Sequence, residues 1–172
     1  MIYMRTQILD MIERTITVDI SDAKVSADPM HVLATYSLGS CIGVCLYNQA
    51  EHTGGMLHYL FLDSSANPQR AKENPFTYAD TGMKTLLEKL ISIGIKKNQM
   101  KVKIAGGAKR LKVTTKSFDI GKRHYLAIRK ILWENGMFID AEDVGGCSPR
   151  TLYMNITDGA VMVKSNGFEK YI

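Results

Sequence analysis

Apolar and polar positions follow two rhythms along this chain, and those rhythms predict most of its elements. In RTITVDI (14–20), Ile16, Val18 and Ile20 alternate with Thr15, Thr17 and Asp19, the period of a half-buried strand. HVLATYS (31–37) is strand-like. CIGVCLYN (41–48) and GGMLHYLFL (54–62) are nearly continuous apolar runs separated by a polar, glycine-ended segment, which predicts a hairpin of buried strands. DSSANPQRAKENPF (63–76) is rich in Ser, Asn and Pro and predicts a long loop, a feature that in a compact domain is usually functional or mobile.

The helical rhythm follows. In TYADTGMKTLLEKLISIG (77–94), Met83, Leu86, Leu87, Leu90 and Ile91 fall at helical spacing, with Gly94 placed to end the helix. KVKIAGGA (101–108) reads as a strand entering a glycine turn. DIGKRHYLAIRKILWENG (119–136) is a second amphipathic helix, with Asp119 as N-cap and Gly136 as stop. MFIDAEDVGG (137–146) predicts strand then turn, and RTLYMNITDGAVMVK (150–164) two strands around Asp158-Gly159. Strands outnumber helices and the clear hairpins are antiparallel. The prediction is therefore an α+β fold, a layered α/β sandwich with mostly antiparallel strands and two main helices.

Length and composition bound this picture without changing it. The 172 residues suit one domain, expected over 14–172 behind a leader at 1–13, loose or in a short helix. Hydrophobic residues at 45% and charged residues at 23% are ordinary for a globular protein. No apolar run approaches the roughly 18 residues that span a bilayer, so membrane insertion is not expected. The opening MIYMRTQILDMIERT carries Asp10 and Glu13 and does not read as a signal peptide, so the expected compartment is the cytoplasm. Three cysteines, which cannot all pair, fit a reducing compartment.

Charge adds one asymmetry. The net charge is +5, yet between Lys96 and Lys130 twelve Lys or Arg accompany the single acid Asp119. Such a run is ordinarily a solvated face; its sharper reading is a surface for an acidic partner. Nucleic acid is not expected, because zinc-finger spacing and an aromatic platform are both missing from the sequence.

The candidate chemistry centres on Cys41. It follows Gly39 and Ser40, where the backbone can turn sharply, a substrate can come close, and amides can donate to an oxyanion. Cys45, between Val44 and Leu46, reads as inert core. His58 lies in an otherwise apolar run seventeen residues after Cys41 and must have a partner if buried. On a hairpin the two side chains can meet, and cysteine beside histidine can form a reactive thiolate–imidazolium pair. Spacing alone leaves that reading open beside a purely structural histidine. His31, His52 and His124 are weaker candidates, and no pair of residues has metal-ligand spacing. AGGAKR lacks the full phosphate-loop pattern.

Taken together, TYSLGSCIGVCLYN and GGMLHYLFLD resemble the signature of the CheD family, the chemoreceptor glutamine deamidases of bacterial and archaeal chemotaxis. The likeness continues through NPFTYADTGMKTLLEKL, KVKIAGGA, IGKRHYLAIRKIL and FIDAEDVGG, over about residues 14–164. It departs at position 124, His where asparagine is common, and at the Cys-Ser-Pro of GGCSPRTLYM. The resemblance implies Cys41 as nucleophile, His58 as base and Thr35 as the threonine that orients the histidine. It implies hydrolysis of glutamine side chains to glutamate on the cytoplasmic helices of methyl-accepting chemoreceptors, with no metal or organic cofactor. A CheC-type phosphatase is a further implied partner. A non-catalytic adaptor for receptor or phosphatase, and a cysteine hydrolase of receptor methyl esters, are the alternatives.

Overall fold

The computed structural model describes residues 14–109 and 119–172. The leader expected at 1–13, and the part of the basic stretch within 110–118, lie outside the described residues. Among the described residues ten strands form two five-stranded sheets. The first has the order β1 (Thr15–Thr17), β3 (Val32–Leu38), β8 (Arg150–Asn155), β9 (Val161–Ser165), β10 (Phe168–Tyr171). The second has the order β2 (Asp22–Ser26), β5 (Thr53–Tyr59), β4 (Ile42–Asn48), β6 (Met100–Gly106), β7 (Ala141–Val144). Only the β1–β3 and β6–β7 pairs are parallel among the described residues. Three complete α-helices accompany them among the described residues: short α1 (Pro68–Glu73), then α2 (Ala79–Ser92) and α3 (Ile120–Glu134). The α+β layered sandwich expected from the sequence is the architecture observed.

The layering explains the two sequence rhythms. β4 and β5 are buried at every position, because the second sheet is covered on both faces. Ile42, Val44, Leu46, Leu57 and Tyr59 pack under α2 and α3. Cys45 and Met56 face the first sheet, against Leu33, Leu38, Leu152 and Met154. A strand with apolar neighbours on both sides has no polar face to alternate, hence the continuous apolar runs. β8, in contrast, alternates buried and half-buried positions.

Three expectations change. The alternation of 14–20 continues as a strand only through Thr17, and Ile20 is exposed, because the chain turns at Ser21 (φ 60°) into β2. The expected strand from Met137 begins only at Ala141. The long loop expected at 63–76 is instead a chain of short helical turns. Asp63, Asn67 and Asn74 each accept a bond from a backbone N–H two or three residues on, and Pro68 and Pro75 open the turns that follow. The Asn and Pro content that suggested irregularity is capping chemistry.

Candidate active site

Thr35 and His58 meet side chain to side chain, whereas Cys41 forms no hydrogen bond with His58, whose Nε2 has no partner among the described residues. Thr35 lies on β3, where the pairing with β8 slips by one residue between Thr35 and Leu38. Positions three apart on a regular strand face opposite ways, yet Thr35 and Leu38 are both fully buried. The bulge at Tyr36 and Ser37 (φ 57°) absorbs the extra residue and keeps both side chains between the sheets.

The chain then leaves the first sheet through Gly39, Ser40 and Cys41 and enters the second at Ile42. The crossing is clamped by the segment after β6: Ala108 N–H donates to the Gly39 carbonyl and Gly107 N–H to the Cys41 carbonyl, each at 2.8 Å. Gly106 (φ 120°) sits so close that a Cβ there would overlap the Cys41 carbonyl oxygen. The glycine pair of AGGA, discounted as a phosphate loop, thus packs against the Cys41 backbone. Its signal in the sequence was two glycines at a strand end, which permit close backbone approach.

His58 lies on β5 directly opposite Gly43 of β4. Cys41 is two residues before Gly43, on the same face by strand parity, and packs against the inter-sheet core. A Cβ at Gly43 would stand 2.6 Å from Leu152 Cδ1, 3.0 Å from Leu38 Cδ1 and 3.5 Å from Thr35 Cγ2. The missing side chain makes room for Thr35 to approach His58. Thr35 Oγ1 lies 2.8 Å from His58 Nδ1, a bond between buried groups on opposite sheets. His58 Nε2 is buried with no hydrogen-bond partner among the described residues.

Burial governs the charge state. Desolvation pushes the half-buried Cys41 thiol above its ordinary value, opposed in part by its own backbone N–H. Desolvation lowers His58 to about 4, opposed by the Asp19 carboxylate. Each group alone therefore rests uncharged at neutral pH, and the same burial opposes the thiolate–imidazolium pair considered from the sequence. Cys45 is fully buried, its thiol pushed up to about 12, which suits an inert core residue.

The remaining histidines have other settings. His31 Nδ1 is 2.8 Å from Ser26 Oγ, and His52 Nδ1 is 2.7 Å from the Thr157 carbonyl. His124 is buried and stacks on Tyr59, with ring centroids 5.4 Å apart, while the Tyr59 hydroxyl donates to the His124 carbonyl at 3.0 Å. Among the described residues no cluster of three or more His, Cys, Asp or Glu could hold a metal ion. No described helix is long and apolar enough to cross a membrane.

A partly exposed thiol, and a buried imidazole with one engaged and one unpartnered nitrogen, are the groups that nucleophilic acyl transfer uses. The CheD chemotactic sensory transduction family matches residues 61–165. The chain is 43% identical over 155 residues to a probable chemoreceptor glutamine deamidase CheD of Solibacter usitatus, covering 90% of this chain and 91% of that protein. It is 42% identical to a probable chemoreceptor glutamine deamidase CheD 1 of Syntrophus aciditrophicus, covering 88% and 94%. A similarly named protein of Methanococcus vannielii is 35% identical, covering 78% and 86%. The chain belongs to the CheD family.

Proposed function

We propose that this protein hydrolyses glutamine side chains to glutamate on the cytoplasmic helices of chemoreceptors, as the names of its relatives describe, with Cys41 as nucleophile. The observation that carries the site assignment is the 2.8 Å contact between Thr35 Oγ1 and His58 Nδ1, with Nε2 left open. If Nδ1–H donates to the threonine oxygen, Nε2 carries the lone pair and serves as base.

The step sequence follows from that tautomer. The Cys41 sulfur attacks the amide carbon while its proton passes to His58 Nε2, so no preformed ion pair is required. Amides of the Gly39–Ser40–Cys41 turn are the donors for the tetrahedral oxyanion. The imidazolium protonates the departing nitrogen, ammonia leaves, and a thioester remains. Water attacks that thioester, giving up a proton to His58, and the C–S bond breaks to yield glutamate and the free thiol. The site calls for no metal or organic cofactor. The family resemblance adds a CheC-type phosphatase as a partner and the cytoplasm as the compartment.

The test is incubation with a receptor cytoplasmic fragment and mass spectrometry for the one-dalton gain of amide-to-acid conversion at individual glutamines. Cys41→Ala is expected to abolish conversion, and His58→Ala to slow it about 10²–10⁴-fold, the usual contribution of a general base. Undiminished conversion by folded Cys41→Ala would refute the nucleophile assignment. Tight fragment binding without conversion by the wild type would favour the adaptor reading.

A further inference from the structure

The outer face of α3 carries an apolar stripe that nothing in the chain covers among the described residues. Leu126 and Trp133, seven positions apart and so on one side of the helix, are 51% and 69% exposed. Phe138, just beyond the helix, is 73% exposed. These side chains line a groove of about 670 Å³ between α3 and β7, the edge strand of its sheet. Apolar groups gathered in a groove on one face mark an interaction surface more often than scattered ones do.

Charge identifies the kind of occupant. α3 bears Lys122, Arg123, Arg129 and Lys130 against the single acid Glu134. The acids in the groove wall are engaged: Asp140 holds Lys101 at 2.8 Å, and Glu142 accepts from the Tyr125 hydroxyl at 2.8 Å. A second copy of the chain would bring the same basic surface against itself. An acidic, amphipathic helix matches both the apolar stripe and the bases beside it.

The groove also leads toward the proposed site. Tyr125 lines both it and an adjoining cavity of about 430 Å³, whose wall includes Gly107. Gly107 is the residue that donates to the Cys41 carbonyl. The fifteen residues of α3 give this track a length of about 22 Å, four turns of a docked helix.

We propose that the α3–β7 groove is the docking surface for an acidic amphipathic helix of the substrate receptor. Its apolar side seats on Leu126, Trp133 and Phe138, and its carboxylates meet Arg129 and Lys130, the latter exchanging its exposed partner Glu134, and Lys122 in the adjoining cavity. The proposal rests on the deamidase reading for the identity of the helix.

Trp133 is the only tryptophan in the chain and so reports on the groove directly. Adding a receptor cytoplasmic fragment to the full chain is expected to shift Trp133 emission to the blue, saturably and more weakly as salt rises. Arg129→Glu is expected to raise KM for receptor deamidation about tenfold with kcat little changed, the scale of one interface contact. Alkylation of Cys41 by iodoacetamide, read on its own peptide, should keep its wild-type rate in that variant. Receptor deamidation without an emission shift would overturn the proposal, as would a wild-type KM in Arg129→Glu. An emission shift that depends on protein concentration alone would overturn it in favour of self-association. A saturable shift with no deamidation would support the docking surface while removing the deamidase reading.

Discussion

Thr35 and His58 hydrogen-bond across the sandwich, one from each sheet, at 2.8 Å. The bond occupies Nδ1 and leaves Nε2 as the open nitrogen. In the proposed mechanism Thr35 is thus a positioning residue: it acts on the substrate only through the ring it holds.

That relationship separates chemistry from packing. Thr35→Val keeps the shape and removes the hydroxyl, stranding a buried ring nitrogen at a cost of about 1–3 kcal/mol. Through the histidine, a loss of that size corresponds to roughly a ten- to hundredfold fall in kcat. Thr35→Ser should recover most of the activity. A packing role alone would give the reverse order, with valine active and serine impaired, so steady-state deamidation rates of the two variants decide the matter.

The acid limb of kcat/KM should lie below pH 6.5, displaced toward about 4. Burial lowers His58 to that value, and the base is lost only when the ring is protonated. A pH–rate profile on receptor fragment tests this, and a limb at or above 6.5 would contradict an uncharged resting pair.

Stability should fall in the same interval. His58 and His124 are both lowered from 6.5 to about 4, chiefly by desolvation. The unfolded chain therefore binds these protons more readily. Their contribution is whole above pH 6.5 and is lost as pH falls through about 4, by roughly 3 kcal/mol for each ring at about 1.4 kcal/mol per pKa unit. Urea unfolding at a series of pH values measures the slope, and His124→Asn should make it shallower.

Gly43→Ala should damage the proposed site from beneath. The new methyl would meet Leu152 Cδ1 at 2.6 Å and Leu38 Cδ1 at 3.0 Å, and neither can retreat freely inside the inter-sheet core. Overpacking of this kind costs about 1–3 kcal/mol, and the displaced layer carries Thr35 with it. Activity should fall further than the unfolding midpoint alone would predict.

A second clasp joins the sheets. Arg150 of β8 donates to Asp143 of β7 at 3.0 Å, with both side chains largely buried. Asp143→Ala leaves the buried guanidinium without its counter-charge, with only the Ser148 carbonyl to accept from it, frees Lys170, and should cost about 3–5 kcal/mol, read as a drop in denaturant midpoint. Replacing both residues by apolar ones of similar volume should recover much of that loss.

The sequence disclosed elements where packing leaves a period. α2 and α3 show it because one face is wet, and the β4–β5 hairpin shows it as apolar runs because both faces are dry. β2 and β10 gave no expectation. β10 is exposed at all four positions, so no burial pattern could mark it. Cys41 was legible as a candidate because it follows Gly39 and Ser40 at the edge of an apolar run, and His58 because it interrupts one. The roles of Gly43, Gly106 and Gly107 were not, because a glycine's use depends on what lies across from it. The register of β4 with β5, and the approach of the post-β6 turn, exist only in the folded chain.

The crossing at Gly39–Cys41 has one last consequence. The proposed nucleophile stands on the seam where the backbone passes from one layer to the other, while its proposed base and the base's support stand on either side. Each sheet could be fully formed with the seam ajar, and the chain would then own three correct side chains and no catalyst. Turnover therefore reports closure of the layers, not helix or strand content. In a compact, loosely packed acid state with near-native circular dichroism, catalysis should vanish before secondary structure does.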